Sequence, residues 1–404
     1  MDFNDTPEEA AFRAEARGWL EANAPKKAAT ADHRIAPVEQ LLATSKAWQA
    51  KKAEARFTCM TWPEALGGRG ANPLQQVIFN QEEAKYEVPR GVYEIGLGMC
   101  IPTVMAFADD ETKKRFVGPA IKGDTVWCQL FSEPAAGSDV AGLRTRAVRD
   151  GDEWVINGQK VWTSGAHFSD YGILLVRTDP DAPKHKGLTM FWVDMRSPGV
   201  EVKPIHQMSG GSNFNEVYFT DVRVKDSQRL GDPGMGWNVA LVTLMNERLA
   251  VGGASGPAWK ELLALAGQTP GTDGPVIKDG AFREKLAQWY VQYEGLKLTR
   301  FRAMTALSRG QTPGPENSFS KLVAATLMQE LNSEALDMED QYGIISDPAI
   351  APDEGAFHQF FMFAPGFRIA GGTDEILRNI ISERVLGMPG EIRTDKGPFK
   401  DLPA

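Results

Sequence analysis

Hydrophobic residues recur along the chain with two different periods. Over residues 6–122 they recur at helical spacing, which is typical of amphipathic helices packed on a core. Over 124–231 they alternate with polar residues, as at Val126 and Cys128, which predicts about seven short antiparallel strands separated by turns. The helical period returns over 237–386. The chain is therefore expected to form helices, then a β domain, then helices again.

Three domains follow from these changes of period. We expect an α+β fold with an N-terminal α-helical domain (1–122), a middle antiparallel β-barrel domain (123–231) and a C-terminal four-helix-bundle domain (232–404). Thr6 followed by Glu9 predicts a capping box at the start of the first helix. Helical layers on both sides of a small barrel leave a deep cleft at the domain junction, which is a common place for a cofactor.

Composition and charge narrow the possible functions. Of 404 residues, 44 are Lys or Arg and 53 are Asp or Glu, so the net charge is −9. The basic surface that a nucleic-acid binder needs is therefore not expected. The three cysteines form neither CxxC pairs nor clusters with histidine, so we expect neither a disulfide framework nor a metal site. No apolar run predicts a membrane span and no signal peptide is visible, which predicts a cytoplasmic location.

The first candidate motif lies where a predicted strand ends. It reads Gln129-Leu-Phe-Ser-Glu-Pro-Ala-Ala-Gly-Ser-Asp139. Free backbone N–H groups and the hydroxyls of Ser132 and Ser138 can bind carbonyl or phosphate groups at such a position. The alternative is a hydroxyl-rich turn without a ligand, because serine, glycine, proline and aspartate are ordinary turn residues.

The second candidate motif is Asn157-Gly-Gln-Lys-Val-Trp-Thr-Ser-Gly165, a hairpin turn followed by a short strand. Trp162 stands beside two hydroxyl residues, an arrangement that suits a planar heteroaromatic ligand, since the ring can stack and the hydroxyls can orient. The alternative is that Trp162 belongs to the core of the barrel.

Taken together, the two motifs resemble the middle domain of the acyl-CoA dehydrogenase flavoprotein family, and the resemblance covers almost the whole chain. The other segments that carry it are Trp62-Pro63 with Gly67-Gly68, Phe219-Thr-Asp-Val-Arg-Val224 and Ile369-Ala-Gly-Gly-Thr-Asp-Glu-Ile-Leu-Arg378. The resemblance implies an FAD-dependent oxidoreductase of lipid catabolism. It would oxidise an acyl-CoA to the trans-2-enoyl-CoA and pass electrons to an electron-transferring flavoprotein.

The resemblance also implies roles for individual residues. Residues that would line the pyrimidine edge of the flavin are Gln129, Phe131 and Ser132. Those that would cover its N5 side are Trp162, Thr163 and Ser164, and those near its phosphate and ribityl region are Thr373, Asp374 and Glu375. The substrate side would be formed by Ser138, Arg248 and Gly372, with Ser138 towards the pantetheine.

The catalytic base departs from the commonest family pattern. Many members carry a glutamate just before Gly-Thr in the last of these segments, where this chain has Gly371. A subset carries it on the first long helix of the C-terminal domain, and Glu247 matches that position. We therefore expect Glu247 to be the base and the backbone N–H of Gly371 to stabilise the enolate oxygen. The alternatives are a solvated helix carboxylate at 247 and a surface ion pair at Arg248.

A second departure concerns assembly. The family's Arg-x-x-Phe-Gly motif is absent from 267–275, and its Gln-x-x-Gly-Gly-x-Gly stretch is reduced to Asp337-Met-Glu-Asp-Gln-Tyr-Gly343. This pattern resembles the large subunits of two-gene members that act on dicarboxylic, steroid-side-chain or other bulky acyl-CoAs. We expect an α2β2 complex with a second acyl-CoA dehydrogenase-like subunit. The alternative is a homodimer or homotetramer in which Arg283 or a nearby cation substitutes.

Two other functions remain open. One is a catalytically silent, FAD-binding or structural subunit, which Gly371 favours and Glu247 opposes. The other is an oxygen-reactive, acyl-CoA oxidase-like flavoenzyme. The basic run Lys184-His-Lys186 is expected to be a solvated turn, with contact to CoA phosphates as the alternative.

Overall fold

The computed structural model describes residues 5–27, 37–250, 256–308, 314, 318–392 and 395–402; the side chains of 247–250 and 307–308 lie outside the described part. Its first region is helical. The helices are α1 (Pro7–Asn23), α2 (Val38–Glu54), α3 (Pro73–Glu83), a π-helical turn (Gly96–Cys100), α4 (Ile101–Phe107) and α5 (Asp110–Lys122).

Local capping explains where two of these helices begin. The Thr6 hydroxyl accepts a hydrogen bond from the Glu9 amide and the Glu9 carboxylate accepts one from the Thr6 amide, as the sequence predicts. Asn72 and Gln75 form the same reciprocal pair ahead of α3. The apolar faces of α1, α2 and α3 then meet in a core of aromatic residues that includes Phe57, stacked on Phe79.

The middle region is an eight-stranded sheet. Its strands are β1 (Trp127–Leu130), β2 (Arg146–Asp150), β3 (Glu153–Ser164), β4 (Tyr171–Arg177), β5 (Leu188–Asp194), β6 (Val200–Ile205), β7 (Phe214–Lys225) and β8 (Arg229–Leu230). They pair in the order β6-β7-β3-β2-β4-β5-β8, with β1 beside β4.

Most neighbours in this sheet are antiparallel, but β1 runs parallel to β4, and β2 meets β4 in parallel at the single pair Arg146 and Arg177. The β2–β3 hairpin lies between β1 and β4 in the sequence and provides the long connection that a parallel pair requires.

Both faces of the central strands are covered. Four successive residues of β4, 173–176, are fully buried instead of alternating. One face packs in a core with α4 and α5, where Phe116 makes an edge contact with Trp127. The other face packs inside the sheet around Phe191 and Trp154. The sheet therefore divides the middle of the molecule into two hydrophobic cores.

The last region is helical again. It contains α6 (Gly236–Ala250), α7 (Trp259–Gln268), a small hairpin of β9 (Pro270–Gly271) and β10 (Gly274–Pro275), α8 (Gly280–Ser308), α9 (Ser318–Glu339), α10 (Ala356–Phe367) and α11 (Asp374–Ile380). Residues of α7, α8 and α9 share a core with Phe357 of α10. The predicted order of helices, β domain and helices is present.

Helix α6 is set apart from that bundle. Its buried residues Val239 and Ala240 belong to the core between α4, α5 and the sheet, and the Thr243 hydroxyl lies 2.8 Å from that of Thr103 in α4. The helix thus begins at the junction of the three regions. Over the described residues, none of the helices combines the length and apolar character needed to cross a membrane.

Candidate functional site

The two middle-domain motifs meet at the ends of β1 and β3. The Val161 amide donates to the Ser132 carbonyl at 2.9 Å. The ammonium of Lys160, which is fully buried, donates to the Phe131 carbonyl at 3.0 Å and to the Glu133 carboxylate at 2.8 Å. These contacts fix the first motif against the second, so the residues predicted to line the flavin edge and its N5 side share one site.

The carboxylate of Glu133 accepts several of the hydrogen bonds that hold the two motifs together. It also accepts the backbone amides of Arg144 at 2.6 Å and Thr145 at 2.9 Å. Burial raises the pKa of Glu133, but the charge and hydrogen bond of Lys160 and the two amides outweigh it, so the pKa lies below its ordinary value. Burial lowers the pKa of Lys160. Neither Glu133 nor Lys160 was predicted as a site residue. The alternation of buried positions from Trp154 does, however, place position 160 on the buried face of the strand.

Trp162 is not a core residue, so that alternative is wrong. Its side chain is 59% exposed, and its backbone adopts the left-handed region with φ of 60°. The pairing register of β3 with β7 shifts between Lys160 and Thr163, which frees the backbone to turn there. The indole keeps one edge contact, with Phe214. A large ring held outward in an uncommon conformation is available for a ligand.

Thr163 supplies an unsatisfied polar group beside that ring. Its side chain is buried, and its Oγ1 has no hydrogen-bond partner in the described structure. Its carbonyl accepts from the buried amide of Asn215 at 2.9 Å, whose own oxygen lies 3.1 Å from His167 Nδ1. The backbone beside Trp162 is therefore fixed, whereas the Thr163 hydroxyl is enclosed by the protein itself and does not open to the surface.

The other middle-domain residues that are predicted to contact FAD or substrate differ in how far they are buried. Phe131 is buried, while Gln129, Ser132 and Ser164 are partly buried. Ser138 is exposed on the connection between β1 and β2. Their predicted roles towards FAD and substrate stay predictions.

The C-terminal motif forms a separate, self-contained turn. Gly371 and Gly372 have φ of 64° and 95°, in the left-handed region that favours glycine. The Thr373 hydroxyl accepts from the Ile376 amide and caps α11. Asp374 is buried, and one of its oxygens accepts from the Arg368 guanidinium at 2.7 Å.

Two of the three side chains that the resemblance places near the flavin phosphate thus already have partners within this turn. Glu375 is exposed, and the second oxygen of Asp374, Oδ1, is buried without a partner in the described structure. Lys321 of α9 donates to the Gly372 carbonyl at 2.6 Å and ties the turn to the helical bundle.

Glu247 and Arg248 lie near the end of α6, but their side chains are outside the described part of the structure. Their predicted roles stay predictions. The hydrogen bonds of the turn at 371–375 run into α11, to Arg368 and to Lys321 of α9. The described ranges contain no group of three or more His, Cys, Asp or Glu residues arranged to hold a metal ion.

Protein-family models match nearly the whole chain. The N-terminal, middle and C-terminal domains of acyl-CoA dehydrogenase match residues 6–124, 128–222 and 234–386. The chain belongs to the acyl-CoA dehydrogenase family. This confirms the predicted family and α+β fold class. It also makes the protein a flavin-dependent oxidoreductase of acyl-CoA and lipid catabolism, with FAD as the family's cofactor.

Individual relatives agree with this membership. The chain is 37% identical to acyl-CoA dehydrogenase IpdE1 of Mycobacterium tuberculosis, over 95% of this chain and 98% of that protein. Among solved structures, it is similar to the Tcur3481-Tcur3483 steroid ACAD, with a TM-score of 0.78 and 26% identity over 97% of this chain and 100% of that one. The ChsE4-ChsE5 complex of M. tuberculosis gives a TM-score of 0.75 and 27% identity over the same fractions.

The middle-domain residues fit the family's cofactor. An exposed indole offers a flat face on which a planar ring can stack. Trp162 would hold the flavin ring in this way, and the roles of Thr163 and Ser164 stay predictions.

Proposed function

We propose that this chain oxidises an acyl-CoA thioester to its trans-2-enoyl-CoA, with Glu247 as the base that removes the α-proton. Family membership supports the reaction type. The observation that carries the proposal to this chain is the exposed indole of Trp162, held outward by a left-handed backbone at the point where the two middle-domain motifs meet. When bound, FAD supplies the acceptor for the β-hydride.

The chain's own residues have two tasks in the proposed reaction. The α-proton of a thioester is too weakly acidic for an unassisted carboxylate, so negative charge on the carbonyl oxygen must be stabilised. The proposal gives that task to the backbone N–H of Gly371, and proton removal to the carboxylate of Glu247. Support for Glu247 is its place on α6, a helix that begins at the junction of the three regions.

Product analysis tests the reaction itself. A panel of acyl-CoAs of different length and branching is added anaerobically to the FAD-loaded protein, and flavin absorbance and the 2-enoyl thioester are followed. Flavin bleaching with stoichiometric enoyl-CoA supports the proposal. Loaded flavin that no acyl-CoA bleaches contradicts it and favours the silent subunit. Peroxide formation in air that outpaces reduction of an artificial acceptor favours an oxidase.

For the acyl group we propose a bulky substrate, such as a steroid side chain or dicarboxylic acid thioester. The support is the similarity to a solved protein whose title reads steroid ACAD, together with the departures at 267–275 and 337–343. Preference for short linear acyl-CoAs in the same panel would contradict this choice. An electron-transferring flavoprotein is proposed as the acceptor, and the cytoplasmic location stays a prediction.

For the assembly we propose an α2β2 complex with a second acyl-CoA dehydrogenase-like subunit. Two similar solved structures are of protein pairs, Tcur3481-Tcur3483 and the ChsE4-ChsE5 complex. Purification of the chain alone and with its native partners, with FAD measured per chain, tests this. Stoichiometric FAD in the isolated chain would favour the homo-oligomer instead.

A further inference from the structure

A short segment near the end of the chain packs on the β domain rather than on the helices that precede it. We name residues 395–402 the strap. The Phe399 amide donates to the Ala182 carbonyl and the Lys400 amide to the Pro180 carbonyl, both at 3.0 Å, and Pro398 forms a β-bridge with Pro183. The strap is thus fixed by its backbone along the connection between β4 and β5.

Two buried cations lie beneath the strap. Lys184 is 5% exposed, and its ammonium pairs with Asp395 of the strap and donates to Asp139 at 2.8 Å. Arg177 is 4% exposed, and its guanidinium carbon lies 3.4 Å from the centre of the Phe399 ring. The expectation that Lys184 belongs to a solvated turn is therefore wrong, because two carboxylates and the strap enclose its charge.

Both cations reach the loop that carries Ser138. We name residues 137–143 the Ser138 loop. The Arg177 guanidinium donates to the carbonyls of Ala141 at 2.7 Å and Leu143 at 3.2 Å. Lys184 holds Asp139, the residue directly after Ser138. The strap, the two cations and the loop form a continuous chain of contacts, and Arg144, directly after the loop, adds a weaker contact with the Phe399 ring at 5.6 Å.

The physical consequence is a dependence of the loop on the strap. A buried guanidinium that loses the ring over its face, or a buried ammonium that loses one of two carboxylates, gains freedom to move towards water. The loop carbonyls and Asp139 would then lose fixed donors. At its end the loop is also anchored by Ala141 and Leu143, which are fully buried in the core. Its exposed first part is held by local turn bonds such as Gly142 N–H to Asp139 O, so the effect should be largest at Ser138 and Asp139.

We propose that the strap, acting through Arg177 and Lys184, positions the Ser138 loop for binding the pantetheine portion of the acyl-CoA. This rests on the proposed function, in which Ser138 lies on the substrate side. Phe399 and Asp395 are positioning residues in this account, since neither touches substrate. Their loss should weaken acyl-CoA binding while leaving flavin loading and proton removal intact.

The test compares Phe399→Ala and Asp395→Asn with Lys400→Ala in the FAD-loaded full chain. Lys400→Ala is the matched control, because it removes only an exposed ion pair with Asp181. Amide hydrogen exchange is measured over 137–143 and, for comparison, over 160–164. We expect both strap variants to raise exchange over 137–143 by about tenfold, with no change at 160–164, and the control to change neither. Phe399→Tyr, which keeps the ring, should restore protection.

Steady-state kinetics complete the test. Phe399→Ala should raise KM for acyl-CoA by about fivefold with kcat within about twofold and unchanged FAD content. Unchanged exchange over 137–143 overturns the strap's role, and so does an equal rise at 160–164, which would mean general destabilisation. Faster loop exchange without a KM change overturns the link to substrate. Exchange needs no turnover, so these failures differ from a failure of the proposed activity, which shows as flavin that acyl-CoA does not bleach in the unaltered protein.

Discussion

Two carboxylates, one in the middle domain and one in the helical bundle, are buried to the same extent. They differ in whether neighbouring groups neutralise the negative charge. Glu133 is 7% exposed and Glu339 is 8% exposed. Glu133 accepts a buried ammonium and two amides, and its pKa lies below the ordinary value. Glu339 has an oxygen without a partner in the described structure, and burial together with the charge of Asp353 raises its pKa to about 7. The fold therefore neutralises the charge of Glu133 but not that of Glu339.

This difference separates two regions with different tasks. The middle-domain residues predicted to contact the flavin are held from within the chain, so that Trp162 stands on a fixed backbone. Glu339 lies in the stretch 337–343, where the chain departs from the family motif. Its buried carboxylate carries a cost in stability that the chain does not offset at this place.

The largest expected effect on stability comes from removing the buried ion pair between Lys160 and Glu133. Lys160→Met removes the ammonium and leaves the Glu133 carboxylate buried without its main partner. We expect a loss of about 3–5 kcal/mol in the free energy of unfolding, measured by urea denaturation, and loss of bound FAD as the two motifs separate.

The matched control is Arg223→Ala, which removes exposed ion pairs with Asp150 and Glu153 from the neighbouring β7 strand. Exposed pairs contribute little, so stability should barely change. Equal losses in the two variants would contradict the view that burial and connection, rather than charge pairing as such, make Lys160 important.

The second effect separates flavin binding from stability. Trp162→Ala removes an exposed indole that makes an edge contact with Phe214. We expect FAD affinity to fall by about tenfold, while the stability of the FAD-free protein barely changes. Fluorescence titration with FAD and thermal unfolding measure the two quantities.

Thr103→Val is the control for this substitution. Its hydroxyl is buried and paired with that of Thr243, so its loss should lower the stability of the FAD-free protein and leave FAD affinity unchanged. If Trp162→Ala destabilised the FAD-free protein as much as Thr103→Val, the indole would have a structural role and the flavin assignment would lose its support.

The smallest expected effect on stability comes from removing the charge of Glu339. Because the pKa of Glu339 is raised to about 7, the folded state binds its proton more tightly than the unfolded state. Its destabilising effect is therefore absent below the unfolded pKa, grows as pH rises from there to about 7, and is fully present above 7. Glu339→Gln should raise stability on the order of 1 kcal/mol at pH 8 and leave it nearly unchanged at pH 4. Thermal unfolding at both values measures this, and an equal gain at the two pH values would point to packing instead.

The sequence predicted the elements well because they depend on local patterns. The capping box at Thr6 follows from interactions within a few residues, and the structure contains it. The change of period near 124 and 231 likewise locates the β domain. Parallel pairing of β1 with β4 was not predicted, because it joins strands separated by a whole hairpin.

The site was predicted less completely, since its chemistry depends on long-range burial. The alternation places Lys160 on a buried face, but only the fold shows that Glu133 is its partner. Lys184 looks like a surface residue in the sequence, and only the fold shows that two carboxylates enclose it. The side chains of Thr373 and Asp374 cap α11 and pair with Arg368, and their predicted place near the cofactor's phosphate stays a prediction. Residue type indicates what a side chain can bind, but the folded neighbours decide which partner it meets.

The most direct test of the central claim is the rate of flavin reduction in Glu247→Gln. The protein is loaded with FAD, mixed anaerobically with saturating acyl-CoA and followed by absorbance, beside Glu111→Gln, which changes an exposed glutamate on α5. We expect Glu247→Gln to bind FAD and acyl-CoA normally but to reduce the flavin about a thousandfold more slowly, with Glu111→Gln unchanged. Reduction by Glu247→Gln at the unaltered rate would show that another group removes the proton.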